Sequence, residues 1–335
     1  MPAAFLACPS CGRLVHGERL KALALAAEAA TRAGDTRAAL ATWRDALSLL
    51  PKGSGQHKRI SETVQTLSTA LDAMGPQAGV GAASGAAAQP GAPAQKKRGP
   101  IYATLAALGA LLAKFKFLIL FVLAKGKLLL AGLFQAKTML TMLIAVGVYA
   151  TAFGWKFAVG LIVSIYVHEM GHVERLRHYG IKATAPMFIP GFGAFVRLKQ
   201  HPATAREDAQ IGLAGPLWGA GAALAFLLAG RYGGYKLATA IAHVGAWVNL
   251  FNLVPVWQLD GGRAFNAFSR QQRVLTAVLL WVLALMHIDG MLMLLAVGAT
   301  FRAIPKNAPE EGDAASFIEY TSLVLFLVGI MVVAR

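Results

Sequence analysis

Apolar residues along this chain follow two regimes. Up to residue 74 they recur at three- and four-residue spacing, which predicts amphipathic helices at 20–33 and 37–50 around a turn at Gly34-Asp35. Pro51 closes the second helix, and a further helix is expected at 61–74. From residue 101 onwards the apolar runs lengthen until helical periodicity no longer distinguishes one face from another. Spans are predicted at 138–154, 157–175, 210–230, 236–254 and 317–334, with another region at 274–300. That last region is too long for one upright span and short for two. His287-Ile-Asp289-Gly290 is the candidate break, and the number of crossings stays open.

Two stretches fit neither regime. Residues 75–100 are rich in Gly, Ala, Pro and Gln, cannot bury a core, and read as a flexible linker ending in the basic anchor Lys96-Lys97-Arg98. Phe117 to Ala124 is apolar but flanked by Lys114, Lys116, Lys125 and Lys127. About eight residues cannot cross roughly 30 Å of hydrocarbon, so an interfacial or re-entrant segment is expected there. The organisation is thus a helical domain at 1–74, a linker at 75–100 and a membrane domain at 101–335.

Composition sharpens this picture. The chain is 56% hydrophobic and 14% charged, outside the range of soluble domains. Its formal charge of +16 raises the question of nucleic acid, but the basic residues cluster between apolar segments and form no face with interleaved aromatics. Such enrichment is the mark of cytoplasmic loops, so nucleic-acid binding is excluded in favour of a bilayer. No secretory leader opens the chain, which places the N-terminal part in the cytoplasm of a multi-pass inner-membrane protein.

The two cysteines, Cys8 and Cys11, cannot make a disulfide framework. Cys8-Pro-Ser-Cys11-Gly resembles one knuckle of a zinc ribbon, with His16 as a third donor; lacking a second C-x-x-C, it reads as a degenerate knuckle. The stretch from Ala33 to Pro51 resembles a single tetratricopeptide unit. It is a partner-binding repeat or a plain helical hairpin, since such arrays normally need several units.

The chemistry lies in the membrane part. His168-Glu169-Met-Gly-His172 ends an uncharged apolar run. Residues four apart share a helix face, so both imidazoles can reach one metal ion, while Glu169 is rotated away and left free to handle a water proton. Ionisable groups at membrane depth are expensive and point to function. Catalytic zinc needs a third protein ligand, and Asn252-Leu-Val-Pro255-Val-Trp-Gln-Leu259-Asp260-Gly261-Gly262 offers Asp260 on irregular backbone, where the glycine pair is expected to permit a sharp turn. Residues 185–197 hold two short apolar runs around a glycine-containing turn, a hairpin signature. Ala214-Gly215-Pro216-Leu217-Trp218-Gly219 reads as small-residue helix packing.

The two motifs together, over roughly residues 138–270, resemble the site-2 protease family of intramembrane zinc metalloproteases. The resemblance implies an all-α polytopic membrane protein with a membrane-dipping β-hairpin that captures unwound substrate as an added strand. It implies one Zn2+ on His168, His172 and Asp260, with Glu169 as general base. It also implies Asn252 as a polar helper at the substrate carbonyl, with Asn249 a second candidate for that role, and Asp289 is the alternative third ligand. Substrates would be membrane-spanning proteins. No gap is large enough for a PDZ domain, so regulation or partner docking falls to the N-terminal helices. Two other classes compete: a catalytically silent relative acting as a scaffold, and a transporter, which would need two related halves that this chain lacks. His178, His201, His243 and His287 have no partner at ligand spacing and read as satisfied or interfacial histidines.

Overall fold

A computed structural model of the chain describes residue 6 and residues 14–74, 136–191, 193–196, 200–287, 289–305 and 308–335. The cysteine pair, the linker and the lysine-flanked apolar segment lie outside the described residues. Among the described residues are eleven helices and one two-stranded sheet.

Three helices open the chain: α1 (Gly17–Arg32), α2 (Thr36–Leu47) and α3 (Gly55–Ala73). Side-chain caps set two of these starts. Asp35 accepts from the Ala38 N–H at 2.9 Å, and Ser54 accepts from the His57 N–H at 3.1 Å. The Ser54 cap explains why α3 starts six residues ahead of the expected position: its first turn is polar and gives no apolar periodicity.

The remaining elements are α4 (Ala136–Phe153), α5 (Trp155–His178), β1 (Met187–Ile189), β2 (Gly193–Phe195), α6 (Ala205–Gly233), α7 (Lys236–Asn252), α8 (Asp260–Phe265), α9 (Arg270–His287), α10 (Gly290–Ala303) and α11 (Ala314–Val333). Helices α4, α6 and α11 are long and apolar enough to cross a membrane. The chain is therefore a polytopic helical membrane protein with a small antiparallel hairpin. Helix α5 falls short of that composition because its last turns carry the charged and polar residues of the motif.

The region 274–300 resolves into α9 and α10, broken where anticipated. Asp289 is the N-cap of α10, accepting from the N–H groups of Met291 at 2.9 Å and Leu292 at 3.4 Å. That task, plus an ion pair to Arg335 at 3.3 Å, removes it from the list of metal ligands.

Helices α5, α6 and α7 pack closely because glycine lines their contacts. A methyl group added at Gly160 would fall 2.4 Å from Ile241, and one at Gly230 would fall 2.2 Å from the Thr239 hydroxyl. Gly234, at φ 72°, ends α6 in the left-handed conformation and lets α7 turn straight back. Helix α11 braces the far side. Tyr320, wholly buried, donates to the Leu253 carbonyl at 2.7 Å and meets Phe265 and Phe268 edge-on.

The hairpin is hung on α4. Thr138 donates to the Pro186 carbonyl at 2.8 Å, the Phe188 N–H donates to the Thr141 hydroxyl at 3.2 Å, and the Gly191 N–H donates to the Tyr149 hydroxyl at 3.0 Å. Phe188 sits opposite Ala194 in the ladder. Because the Phe188 N–H points at α4, this is the non-hydrogen-bonded pair of an antiparallel ladder, so the Ala194 N–H and carbonyl also point away from the partner strand. The outer edge of β1 is thus occupied by α4, and the outward backbone groups of β2 are those of Ala194.

Candidate metal centre

Helix α5 delivers His168, Glu169 and His172 at 4%, 5% and 8% exposure, and Asp260 arrives from the first turn of α8 at 8%. The His168 and His172 Nε2 atoms lie 3.2 Å apart. Asp260 presents Oδ2 to His168 at 3.2 Å and Oδ1 to His172 at 3.4 Å. Among the described residues, these three form a group of metal-ligating side chains whose donor atoms lie within 4.8 Å of one another.

The hydrogen bonds behind the rings fix their tautomers. Asn249 donates through Nδ2 to the Gly245 carbonyl at 2.7 Å, which leaves its Oδ1 facing His168 Nδ1 at 2.8 Å. An amide oxygen only accepts, so His168 carries its proton on Nδ1. His172 Nδ1 lies 2.7 Å from the Ile211 carbonyl, which also only accepts. In the neutral rings both Nε2 atoms therefore present lone pairs, and they face each other and a carboxylate. Three acceptors converging on one point repel unless a cation lies among them. Donors on a tetrahedral zinc are separated by about 3.3 Å, from bonds of about 2.0–2.1 Å, and the observed separations match that spacing. The donor set thus fits zinc.

Glu169 is not among these ligating atoms. It lines two adjoining cavities, one of about 510 Å³ and one of about 550 Å³. The first is walled by apolar side chains including Phe153, Phe157, Leu161 and Trp247, and the second reaches His172, Gln258 and Arg263. Asn252 and Ala194 border both. Asn249 and Asn252 both line the apolar cavity; Asn249 spends its Oδ1 on His168 and one N–H on the Gly245 carbonyl.

The loop between α7 and α8 departs from the reading of its glycines. Gly261 and Gly262 keep negative φ; a methyl group on them would fall 1.9 Å from the Leu253 carbonyl oxygen and 2.6 Å from that of Trp257. They are needed for close approach, and the positive φ of this loop, 45°, belongs to Trp257, which is 94% exposed. Arg263 anchors α8 to the start of α6 through Asp208 at 2.9 Å.

Gly215 and Gly219 have a more specific role than helix packing. A methyl group at Gly215 would stand 2.2 Å from His172 Nε2 and 2.7 Å from His168 Nε2, and one at Gly219 would stand 2.0 Å from Asn249 Oδ1. Both glycines leave room for the rings and their support. Sequence patterns carry no signal for the Ile211 carbonyl, a main-chain group, and only a weak one for Asn249. The other histidines of the membrane domain lie apart from the centre: His178 meets Arg37 at 3.1 Å, His243 meets the Met331 carbonyl at 3.3 Å, the His201 carbonyl accepts from Arg44 at 3.3 Å, and His287 ends α9.

Residues 156–243 match the model of Peptidase family M50. The chain is also similar to a zinc metalloprotease of Methanocaldococcus jannaschii, 29% identical over 112 residues, which are 32% of this chain and 32% of that protein. The chain thus spans about a third of the length of that curated relative. No solved structure matches the chain at a significant level. The family match takes in the histidine pair and the helix that carries Ile211, and it ends before Asp260.

Proposed function

We propose that this protein is an intramembrane zinc metalloprotease that hydrolyses peptide bonds of membrane-spanning substrates. The observation that carries the reading is the pair of tautomer-locked imidazoles turned with Asp260 onto one point beside a buried carboxylate. His168, His172 and Asp260 would hold the ion. Bound zinc polarises a carbonyl and lowers the pKa of water to about 7.

The chain's own groups account for the rest. A carboxylate oxygen of Glu169 accepts the proton of the attacking water and returns it to the leaving amine. The Asn252 side-chain amide, on the cleft wall, donates to the carbonyl oxygen as it gains charge. The apolar cavity receives the unwound substrate, and the outward Ala194 N–H and carbonyl on β2 pair with its backbone as an added strand. The basic residues Arg175, Arg177 and His178 at the end of α5 support a cytoplasmic location for that end and for the N-terminal helices docked near it.

The test is cleavage of a single-span substrate by purified protein in lipid. Glu169→Gln is expected to keep wild-type zinc content while cleavage falls by roughly 10²–10⁴-fold. Undiminished cleavage by that variant removes Glu169 as the base.

A further inference from the structure

The sequence treats the N-terminal helices as an appendage; the packing does not. Leu40, Val64 and Leu71 are buried in one cluster with Leu176, Tyr179, Ile181 and Ile211. Leu176 lies one turn beyond His172 on α5, and Ile211 is the residue whose carbonyl holds the His172 ring. The same cluster therefore includes a residue one turn from His172 on its own helix and the residue whose carbonyl holds its ring.

Polar contacts reinforce this seam. Arg44 on α2 pairs with Glu207 on α6, their side chains 3% and 0% exposed. The other Glu207 oxygen accepts from the Ser68 hydroxyl at 3.0 Å and from the Ala203 N–H at 2.9 Å. Both Arg44 and Ser68 come from the N-terminal helices, so the unit supplies most of what satisfies this buried carboxylate. Asp72 on α3 meets the Tyr179 hydroxyl and also pairs with Arg206 at 3.5 Å; the same hydroxyl reaches Gln210 at 2.8 Å. At Gly180 the main chain comes so near α2 that an added methyl would fall 2.7 Å from Ala41. Glu207 and Ile211 are four residues apart on α6, on one face and one turn from each other.

We infer that the N-terminal helical unit is a working part of the metal centre: through Glu207 it holds the first turns of α6, and through the Ile211 carbonyl those turns orient His172. Arg44 is then a positioning residue, apart from the metal centre and coupled to it along one turn of α6. The inference rests on the metal reading proposed above, and its test separates the two.

The experiment is zinc competition against a chelator with full-length protein in detergent, combined with amide hydrogen exchange. Arg44→Met leaves Glu207 buried without its cation. It is expected to weaken apparent zinc affinity roughly tenfold, the low end for outer-shell partners, with faster exchange at 205–215 and unchanged exchange at 216–233. Arg44→Met combined with Glu207→Leu removes both charges and is expected to restore most of the affinity, because an apolar pair replaces a buried ion pair at little cost. Lys21→Ala, at an exposed pair on α1 away from the seam, leaves affinity unchanged. Wild-type affinity in Arg44→Met, with exchange at 205–215 accelerated, overturns the inference while leaving the metal centre intact. A double variant no better than Arg44→Met also overturns it. Wild-type protein that binds no zinc sinks the metal reading itself and this role with it.

Discussion

His168 and His172 stand one turn apart on the same helix, yet they are held from opposite sides by different kinds of group. The His168 ring leans on a side chain, the Asn249 amide of α7; the His172 ring leans on the backbone, the Ile211 carbonyl of α6. A side chain can be replaced without moving its helix. A carbonyl can be moved only with the helix that carries it. The contrast predicts that the two ligands fail differently: one to local mutation, the other to anything that shifts α6.

The hardest blow falls on both ligands at once. Gly215→Ala puts a methyl group where both Nε2 atoms converge, and zinc is expected to be lost altogether, read by metal analysis of purified protein. Zinc retained at full stoichiometry would show that the rings have room that the geometry denies them. Next comes the side-chain support. Asn249→Ala is expected to weaken zinc affinity roughly 10–100-fold, and a smaller loss in chelator competition would mean that Asn249 does not set the ring. The smallest effect is expected on the backbone side. Ile211→Val trims a buried side chain and leaves its carbonyl in place, so stability falls by about 0.5–1.5 kcal/mol while zinc affinity stays within about twofold of wild type. Should Ile211→Val release zinc as readily as Asn249→Ala, the distinction between the two supports is wrong.

Those residues also mark what the sequence could and could not convey. His168, His172 and Asp260 were legible because a metal site needs particular side chains at particular spacing, and geometry brings all three together. The helices at 138–154, 210–230 and 236–254 were legible for a similar reason: long apolar runs leave little choice of structure inside a bilayer. The resemblance put Asn252 ahead of Asn249 for the polar role, but the support of Asn249 for the His168 ring was not legible, since only the packing tells which side chain faces a ring. Gly215 was read as a packing residue because a missing side chain does not say what fills the space. The contribution of Ile211 was invisible for a stricter reason: every residue has a carbonyl. The seam around Arg44 and Glu207 joins positions 163 apart, beyond any local pattern.

Tyr320 extends this reasoning to the far end of the chain. Its hydroxyl props up the first residue of the loop that leads to Asp260, and its ring wedges against two aromatics in and just after α8. A protein ending at Ala303 would keep every ligand, the base and both asparagines, and would still lack the pillar under the carboxylate arm. The smallest portable version of this centre is therefore set by its scaffolding, and it runs through the last helix.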